Sequence, residues 1–288
     1  MDSALKLRIS YDQQKVLLPG EITAALEQSE IVGRLTADYE EEPLFHIFRV
    51  LCLSEIPYTE YLPYTQQVIS FISGHLAGPY GFSYTGKTDD IVPCYNAMLL
   101  EAYTRLGLAD SPEAEQALNW IKKYQVFERN QKTAWEAKGI CRHGGCMLAT
   151  PCYIGIGKTV RALITYSEFT PKADSETEAF IDKGVEYMLR HHMYQRLSDR
   201  QPISRHITDV MFPQAYMLSL TDLVYIIAKR GLWSDCRTGE LKRLIAEKAA
   251  GQNQWKLDYI YRHRGYKAFE TKRYPSQWIG HIFNLPAI

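Results

Sequence analysis

Five prolines that each stand directly before an apolar run constrain the fold of this chain more than any other feature. They are Pro43, Pro93, Pro151, Pro213 and Pro275, and successive members are 50 to 62 residues apart. Proline belongs in the first turn of a helix, because its missing N–H would have no intrahelical partner there and its φ already has a helical value. The spacing therefore predicts a repeated helical unit whose inner helix opens near each proline.

Each repeat pairs two helices of different character. The run from Tyr95 to Leu108 is apolar around most of its circumference, which predicts a helix that is buried on all sides. The run from Pro112 to Gln125 has apolar residues on one helical face and charged residues on the other, which predicts a half-buried outer helix. No segment convincingly predicts a sheet. We therefore predict an all-α chain with a single domain over residues 1–288.

Composition and charge argue against several classes of function. The 33 basic residues balance the 33 acidic ones without long runs of either kind, so the chain lacks the electrostatic footprint of a nucleic-acid-binding protein. No stretch approaches the roughly 18 apolar residues of a membrane span, and the start of the sequence lacks a basic segment leading into an apolar core. We therefore expect a cytoplasmic protein without a transmembrane segment, whose six cysteines are thiols or metal ligands.

Short stretches at two of the prolines resemble a known family. The sequences Asp89-Asp90-Ile91-Val92-Pro93-Cys94-Tyr95 and Pro151-Cys152-Tyr153-Ile154-Gly155 resemble the start of an inner helix in protein prenyltransferase β subunits. The repeat pattern also resembles that of squalene and terpene cyclases and of small bacterial prenyltransferase-like proteins. The resemblance implies an α/α toroid, in which inner and outer helices alternate around a central cavity, and it implies an isoprenoid-type lipid in that cavity.

A closed ring brings the starts of the inner helices to one rim, which the helix dipoles make electropositive. Cys94 and Cys152 follow their prolines by one residue in adjacent repeats, so we expect them to be neighbours at this rim. With His143 and Cys146 they form a candidate zinc site, since thiolates and an imidazole are ligands that zinc takes. Small buried thiols without a metal are the alternative.

Asp89 and Asp90 are the candidate catalytic acids at the same rim. They equally fit an N-cap and a first-turn charge for the helix that follows. The sequence contains neither the Asp-x-Asp-Asp acid of class II cyclases nor the Asp-Asp-x-x-Asp motif that holds magnesium against a diphosphate. The sequence is therefore compatible with both an enzyme and a non-catalytic protein.

Five residues are candidates for contact with a substrate in the central cavity: Tyr95, Tyr153, Lys158, Tyr216 and Trp278. The aromatic members recur at a similar depth of four inner helices, where core packing is the alternative. Lys158 and its neighbour Arg161 are expensive to bury unless each has a partner. We expect them to pair with Glu101 or Asp222 on adjacent inner helices, and contact with a diphosphate is the alternative.

Three functions follow from these observations. The first is an enzyme or binding protein for a hydrophobic, isoprenoid-type small molecule in the central cavity. The second is a non-catalytic toroid whose cysteines hold a structural metal. The third is a carbohydrate-active α/α barrel, in which paired carboxylates and tyrosines line a groove and two acidic residues face each other across the cavity.

Overall fold

The computed structural model describes residues 1–136, 151–171 and 174–284, and these residues are mostly helical, which confirms the all-α prediction. The α-helices are α1 (Ser3–Asp12), α2 (Pro19–Glu27), α3 (Glu30–Thr36), α4 (Pro43–Leu53), α5 (Pro63–His75), α6 (Pro93–Arg105), α7 (Pro112–Tyr124), α8 (Tyr153–Phe169), α9 (Ser175–Arg190), α10 (Leu220–Lys229), α11 (Gly239–Glu247) and α12 (Gln277–Phe283). Among them, no helix combines the length and the apolar character needed to cross a membrane.

The β-strands in the described residues form two short antiparallel hairpins. The sequence analysis predicted no sheet. Strand β1 (Ala77–Gly78) pairs with β2 (Gly81–Phe82), and β3 (Ala249–Gly251) pairs with β4 (Gln254–Trp255). The hairpins follow α5 and α11 and reverse the chain direction after these half-buried helices.

Helices buried on nearly every side alternate with half-buried ones, as the sequence predicts. The buried set is α4, α6, α8 and α10, which we call the inner helices, and each is followed by a half-buried helix, α5, α7, α9 and α11. Helix α6 packs against α4 and α8, helix α8 packs against α10, and helix α10 packs against α12. Helices α5, α7 and α9 pack on the inner helices that precede them.

The prolines mark helix starts at four of the five predicted places. Pro43 and Pro93 are the first residues of α4 and α6, and Pro151 and Pro275 each stand two residues before a helix. The prediction for Pro213 is wrong, because residues 211–219 are not helical. The helix begins later, at Leu220, where the Ser219 side chain and the third helical residue form a capping box.

Side chains near the start of the sequence hydrogen-bond to backbone near its end. The Arg49 guanidinium is fully buried and its Nε atom donates to the Gly265 carbonyl at 3.0 Å. Arg34 donates to the Phe269 carbonyl at 2.9 Å, and the Asp12 Oδ2 and His281 Nε2 atoms lie 2.7 Å apart. Helix α1 also packs against α12. These contacts join the first helices to the last part of the described chain.

His46 of α4 is a buried histidine that packs among aromatic side chains. Its ring is stacked on Phe71 with a centroid distance of 3.7 Å, and Tyr39 packs edge-on at 4.9 Å. The side chain is inaccessible to solvent, and within the described ranges neither ring nitrogen has a hydrogen-bond partner. Burial lowers the pKa of His46 from 6.5 to about 4. The folded protein therefore holds this imidazole neutral.

We expect His46→Phe to flatten the pH dependence of stability in weak acid. The unfolded chain binds a proton near pH 6.5 whereas the folded chain binds it near pH 4, so stability falls as the pH drops through that window. Urea denaturation of the wild type at pH 5 should show a loss of about 2 kcal/mol relative to pH 7 that His46→Phe does not show. The exposed His75 serves as control, and an equal effect of His75→Phe would contradict the prediction.

Candidate functional site

The inner helices are joined by a buried network of ion pairs centred on Arg161 of α8. Its Nη2 atom lies 2.7 Å from Glu55 Oε1, just after α4, and its Nη1 atom lies 2.7 Å from Asp222 Oδ1 of α10. Its Nε atom donates to Glu101 Oε1 of α6 at 3.0 Å. Burial alone would raise the pKa of Glu101, but Arg161 and Arg105 hold it at about 2. All four inner helices or their ends therefore meet at one guanidinium.

Lys158 belongs to the same network and not to a cavity wall. Its Nζ atom lies 2.9 Å from Asp222 Oδ1 and 3.2 Å from Gln214 Oε1, and its side chain is fully buried. Burial alone would raise the pKa of Asp222, and the Lys158 and Arg161 cations lower it below its ordinary value. The predicted pairing of Lys158 and Arg161 with carboxylates of adjacent inner helices is confirmed. The space along the inner helices at this depth is filled by these side chains.

The starts of α6 and α8 are neighbours, as expected for Cys94 and Cys152. A Cβ atom on Gly155 would lie 2.9 Å from Pro93 Cβ and 3.7 Å from Cys152 Cβ, so the missing side chain allows the two helix starts to approach. Burial, with a smaller contribution from Cys152, raises the pKa of the Cys94 thiol to about 12. Burial thus outweighs the expected stabilisation of a thiolate by the helix start.

The other two candidate zinc ligands, His143 and Cys146, lie outside the described residues. Within the ranges that the structure describes, no group of three or more His, Cys, Asp and Glu side chains is placed to hold a metal ion. The residues that could hold a metal at this rim are therefore Cys94 and Cys152, together with ligands from the undescribed part of the chain.

Asp89 and Asp90 lie in a short 3₁₀ turn before α6. Asp89 is exposed, whereas Asp90 is buried and its Oδ2 atom accepts a hydrogen bond from Thr85 Oγ1 at 2.7 Å. The alternative that these residues cap α6 is wrong, because Val92 occupies the N-cap position and the turn ends two residues earlier. Asp90 instead holds the loop that leads into the helix.

The four aromatic candidates separate into two environments. Tyr153 donates to the Met193 carbonyl at 2.7 Å, and Trp278 is packed between Phe212 and Phe269, so both are core residues. Tyr95 and Tyr216 are accessible and lie near each other, with ring centroids 6.4 Å apart. Two further tyrosines extend this group, which we call the tyrosine cluster: Tyr84, Tyr95, Tyr216 and Tyr261.

A cavity of about 810 Å³ lies at the opposite ends of the inner helices. We call it the C-terminal cavity, because Ser54 and Glu55 follow α4 and because Arg105, Phe169 and Lys229 are the last residues of α6, α8 and α10. The remaining lining residues are Arg8, Tyr11, Asp12, Gln14, Lys15, Val16, Leu17, Ile22, Pro57, Tyr58, Glu60, Glu168 and Tyr225. Sequence reasoning placed the site at the other ends of these helices.

Charged groups of both signs line the C-terminal cavity in equal number. The basic members are Arg8, Lys15, Arg105 and Lys229, and the acidic members are Asp12, Glu55, Glu60 and Glu168. Arg8 Nε lies 2.7 Å from Asp12 Oδ2, and Lys229 Nζ lies 3.0 Å from Glu168 Oε1. The Arg105 guanidinium lies 3.0 Å from Glu101 in the network below the cavity floor. The cavity wall therefore carries charged groups of both signs, several of which are held in ion pairs.

Four aromatic rings, those of Tyr11, Tyr58, Phe169 and Tyr225, also line the cavity, beside aliphatic side chains such as Leu17 and Ile22. Tyr11 meets Tyr58 edge-on at 5.8 Å and Phe169 in a stacked arrangement at 6.3 Å. Tyr225 lies beneath the Arg105 guanidinium, 5.6 Å from its centre. Tyr58 has a φ of +69°, in the left-handed region that a bulky residue rarely adopts. Such backbone strain is concentrated at functional sites in proteins.

Glu60 differs from the other acidic residues of the cavity. It lies in the turn Thr59–Tyr61, and its Oε2 atom is buried without a hydrogen-bond partner in the described part of the chain. Burial raises its pKa, and nearby backbone amides oppose the shift only in part. Asp12, by contrast, has a lowered pKa, because His281 and Arg8 outweigh the effect of burial. The cavity thus contains carboxyl groups that are in ion pairs and one, Glu60, that has no ion pair in the described part of the chain.

One feature of the sequence indicates this cavity, although the analysis of helical periodicity did not include it. Charged residues recur where the apolar runs of the inner helices end, at Glu55, Arg105, Glu168 and Lys229.

A scan of the sequence against models of known protein families found no match, and a search of curated proteins also found none. A function is therefore inferred from the geometry at the two ends of the inner helices.

We expect Arg161→Met to destabilise the protein by about 3 to 5 kcal/mol, because it leaves three buried carboxylates without their shared cation. Arg230→Met is the matched control, since it removes an arginine that also pairs with two carboxylates, Glu178 and Asp182, but in a solvated position. Its cost should be below about 1 kcal/mol. Urea denaturation checks both values, and equal losses in the two variants would contradict the central role of Arg161.

Proposed function

We propose that the helices close into an α/α toroid and that its C-terminal cavity binds a polyhydroxylated, carbohydrate-class small molecule. The contacts of Arg34, Arg49 and Asp12 with residues near the end of the described chain support closure of the ring. The alternation of inner and outer helices supports the repeat. The ligand class follows from the lining of the C-terminal cavity.

The observation that carries the proposal is the combination of charged groups of both signs, several of them in ion pairs, and aromatic rings in one cavity of about 810 Å³. A sugar is uncharged, and each hydroxyl both donates and accepts hydrogen bonds, so it can use fixed guanidinium and carboxylate groups together. Its C–H faces pack on aromatic rings such as Tyr11 and Tyr58. The volume is within the usual range for small-molecule sites.

A purely apolar chain suits this cavity poorly. It would remove water from Arg8, Glu55 and Glu168 without replacing the lost hydrogen bonds. The network around Arg161 also fills the interior between the inner helices, where a long lipid would have to extend. The cavity therefore favours the carbohydrate-active barrel over the isoprenoid protein among the functions that the sequence suggested.

Calorimetric titration with maltotriose, cellotriose and chitotriose tests the proposal. We expect at least one trisaccharide to bind, and Tyr11→Ala to weaken that binding about tenfold, because the stacking face of Tyr11 is lost. Tyr274→Ala is the control, since Tyr274 is exposed and does not line the cavity. Absence of binding by all three sugars, or equal weakening in both variants, would overturn the proposal.

The tyrosine cluster favours a second candidate at the other ends of the inner helices. Tyr95 is stacked on Tyr84 with a centroid distance of 5.4 Å, and Cys94 and Cys152 lie at the adjoining helix starts. Aromatic faces suit the double bonds of an isoprenoid and any cationic intermediate formed from it. On this proposal the two cysteines hold zinc with ligands such as His143 and Cys146, as the resemblance to prenyltransferases implies.

Metal analysis of the purified protein tests the second candidate. We expect one zinc ion per chain in the wild type, and loss of that zinc in a Cys94→Ser, Cys152→Ser double variant. Cys236→Ser is the control, because Cys236 is exposed and distant in sequence from these helix starts, and it should retain the metal. Protein that binds no zinc after reconstitution would contradict the zinc site.

A further inference from the structure

We propose that the sugar of the C-terminal cavity carries a carboxylate, and that the guanidinium of Arg105 in the cavity wall binds this group. The inference rests on the proposed carbohydrate-class ligand, adds one negative charge to it and names the residue that recognises the charge. A sugar unit that is oxidised to a uronic acid keeps the hydroxyls and the C–H faces on which the proposed function depends.

Arg105 is the last residue of α6, and one edge of its guanidinium is taken by a carboxylate outside the cavity. Its Nε and Nη2 atoms each lie 3.0 Å from Glu101 Oε1, and Nη2 also lies 3.5 Å from Thr165 Oγ1. Its Nη1 atom donates no hydrogen bond within the described part of the chain, and it is not one of the polar atoms there that are closed to solvent without a partner. The two N–H groups of Nη1 are therefore available to a ligand.

The guanidinium of Arg105 is held in place by the cavity wall. The side chain is only 6% exposed, and its central carbon lies 5.8 Å from the ring centre of Phe169 and 5.6 Å from that of Tyr225. Both rings line the same cavity. A guanidinium that is already fixed loses little freedom on binding a carboxylate, whose planar geometry it matches.

The carboxylates nearest to Arg105 are shared with other cations. Glu101 Oε1 also accepts a hydrogen bond from Arg161 Nε at 3.0 Å. The oxygens of Glu55 lie 2.7 Å from Arg161 Nη2 and 3.5 Å from Arg8 Nη1. Within the described ranges, no carboxylate is therefore paired with Arg105 alone. A carboxylate from a ligand would complete the pairing of this buried cation, which favours binding because a buried charge is costly until it is compensated.

The other charged residues of the cavity leave room for a negative charge on the ligand. Asp12 and Glu168 are held in ion pairs with basic residues of the cavity. Lys15 is exposed and forms no ion pair within the part of the chain that the structure describes. Glu60 has no ion pair there either, but backbone amides face its carboxyl group, and its Oε2 atom is closed to solvent. A ligand carboxylate in this cavity therefore meets Lys15 as a second cation.

Titration calorimetry with matched acidic and neutral sugars tests this inference. Maltotriose and cellotriose are each compared with the counterpart whose non-reducing glucose is a glucuronate, and with the methyl ester of that counterpart. We expect the wild type to bind at least one acidic trisaccharide about tenfold more tightly than its neutral parent, because charge-assisted hydrogen bonds form with Arg105. The ester has nearly the shape of the acid without its charge, so it should bind no more tightly than the parent.

Arg105→Gln should remove the preference for the acidic sugar. Arg190→Gln is the matched control, because Arg190 is the last residue of α9 and pairs with Glu186 four positions earlier, as Arg105 pairs with Glu101. Arg190 is exposed and does not line the cavity, so this variant should keep the preference. The comparison of acid with ester on the wild type decides the question even if Arg105→Gln does not fold.

Equal wild-type affinities for the acid, the ester and the parent sugar would overturn the role of Arg105 while leaving the proposed ligand class intact. A preference for the acid that survives in Arg105→Gln would do the same. If the wild type binds none of the acidic trisaccharides and none of the neutral ones, chitotriose included, the proposed function fails and this inference fails with it.

Discussion

The triple pairing of Arg161 is the interaction on which the arrangement of the inner helices depends. A single buried guanidinium would be unstable, and so would each of the carboxylates of Glu55, Glu101 and Asp222, but together they satisfy one another. Apolar packing between helices tolerates small sliding movements, whereas charge-assisted hydrogen bonds of 2.7 to 3.0 Å do not. The network therefore sets the register of α4, α6, α8 and α10 against one another.

This network also explains why the two ends of the inner helices differ. At the start of α6 and α8, the half-buried Cys94 lies near a cluster of partly accessible tyrosine rings. At the other end, the helix carbonyls carry partial negative charge, and Arg105 and Lys229 occupy the last positions of their helices. Carboxylates then pair with these cations, which makes the C-terminal cavity polar.

Sequence reasoning predicted those parts of the fold that depend on local chemistry. Helices α4 and α6 begin at their prolines, α7 extends from Pro112 to Tyr124, and Lys158 pairs across helices as its burial requires. The start of α10 was missed because its capping box lies at Ser219, after a non-helical segment that follows Pro213, and the proline signal alone does not reveal that segment. Local pattern therefore located α4, α6, α7, α8 and α12, but not every boundary.

The candidate site was predicted less well, for a different reason. The C-terminal cavity is built from residues that follow the inner helices, such as Glu55, and from residues of α1, such as Tyr11, which are far apart in sequence. Their meeting depends on the tertiary arrangement, and neither periodicity nor spacing encodes it. Glu60 is distinguished by the lack of an ion pair in the described part of the chain, which no sequence motif can express.

The bonds of Arg49 have a consequence for how the chain acquires its structure. Its guanidinium is buried in α4, yet its Nε acceptor, the Gly265 carbonyl, comes 216 residues later in the chain. During synthesis from the first residue onwards, the hydrogen bond from Arg49 to Gly265 cannot form until most of the remaining sequence has been made. Contacts of such long range close large loops and slow folding. The early helices should therefore require protection from aggregation until the last part of the chain has docked.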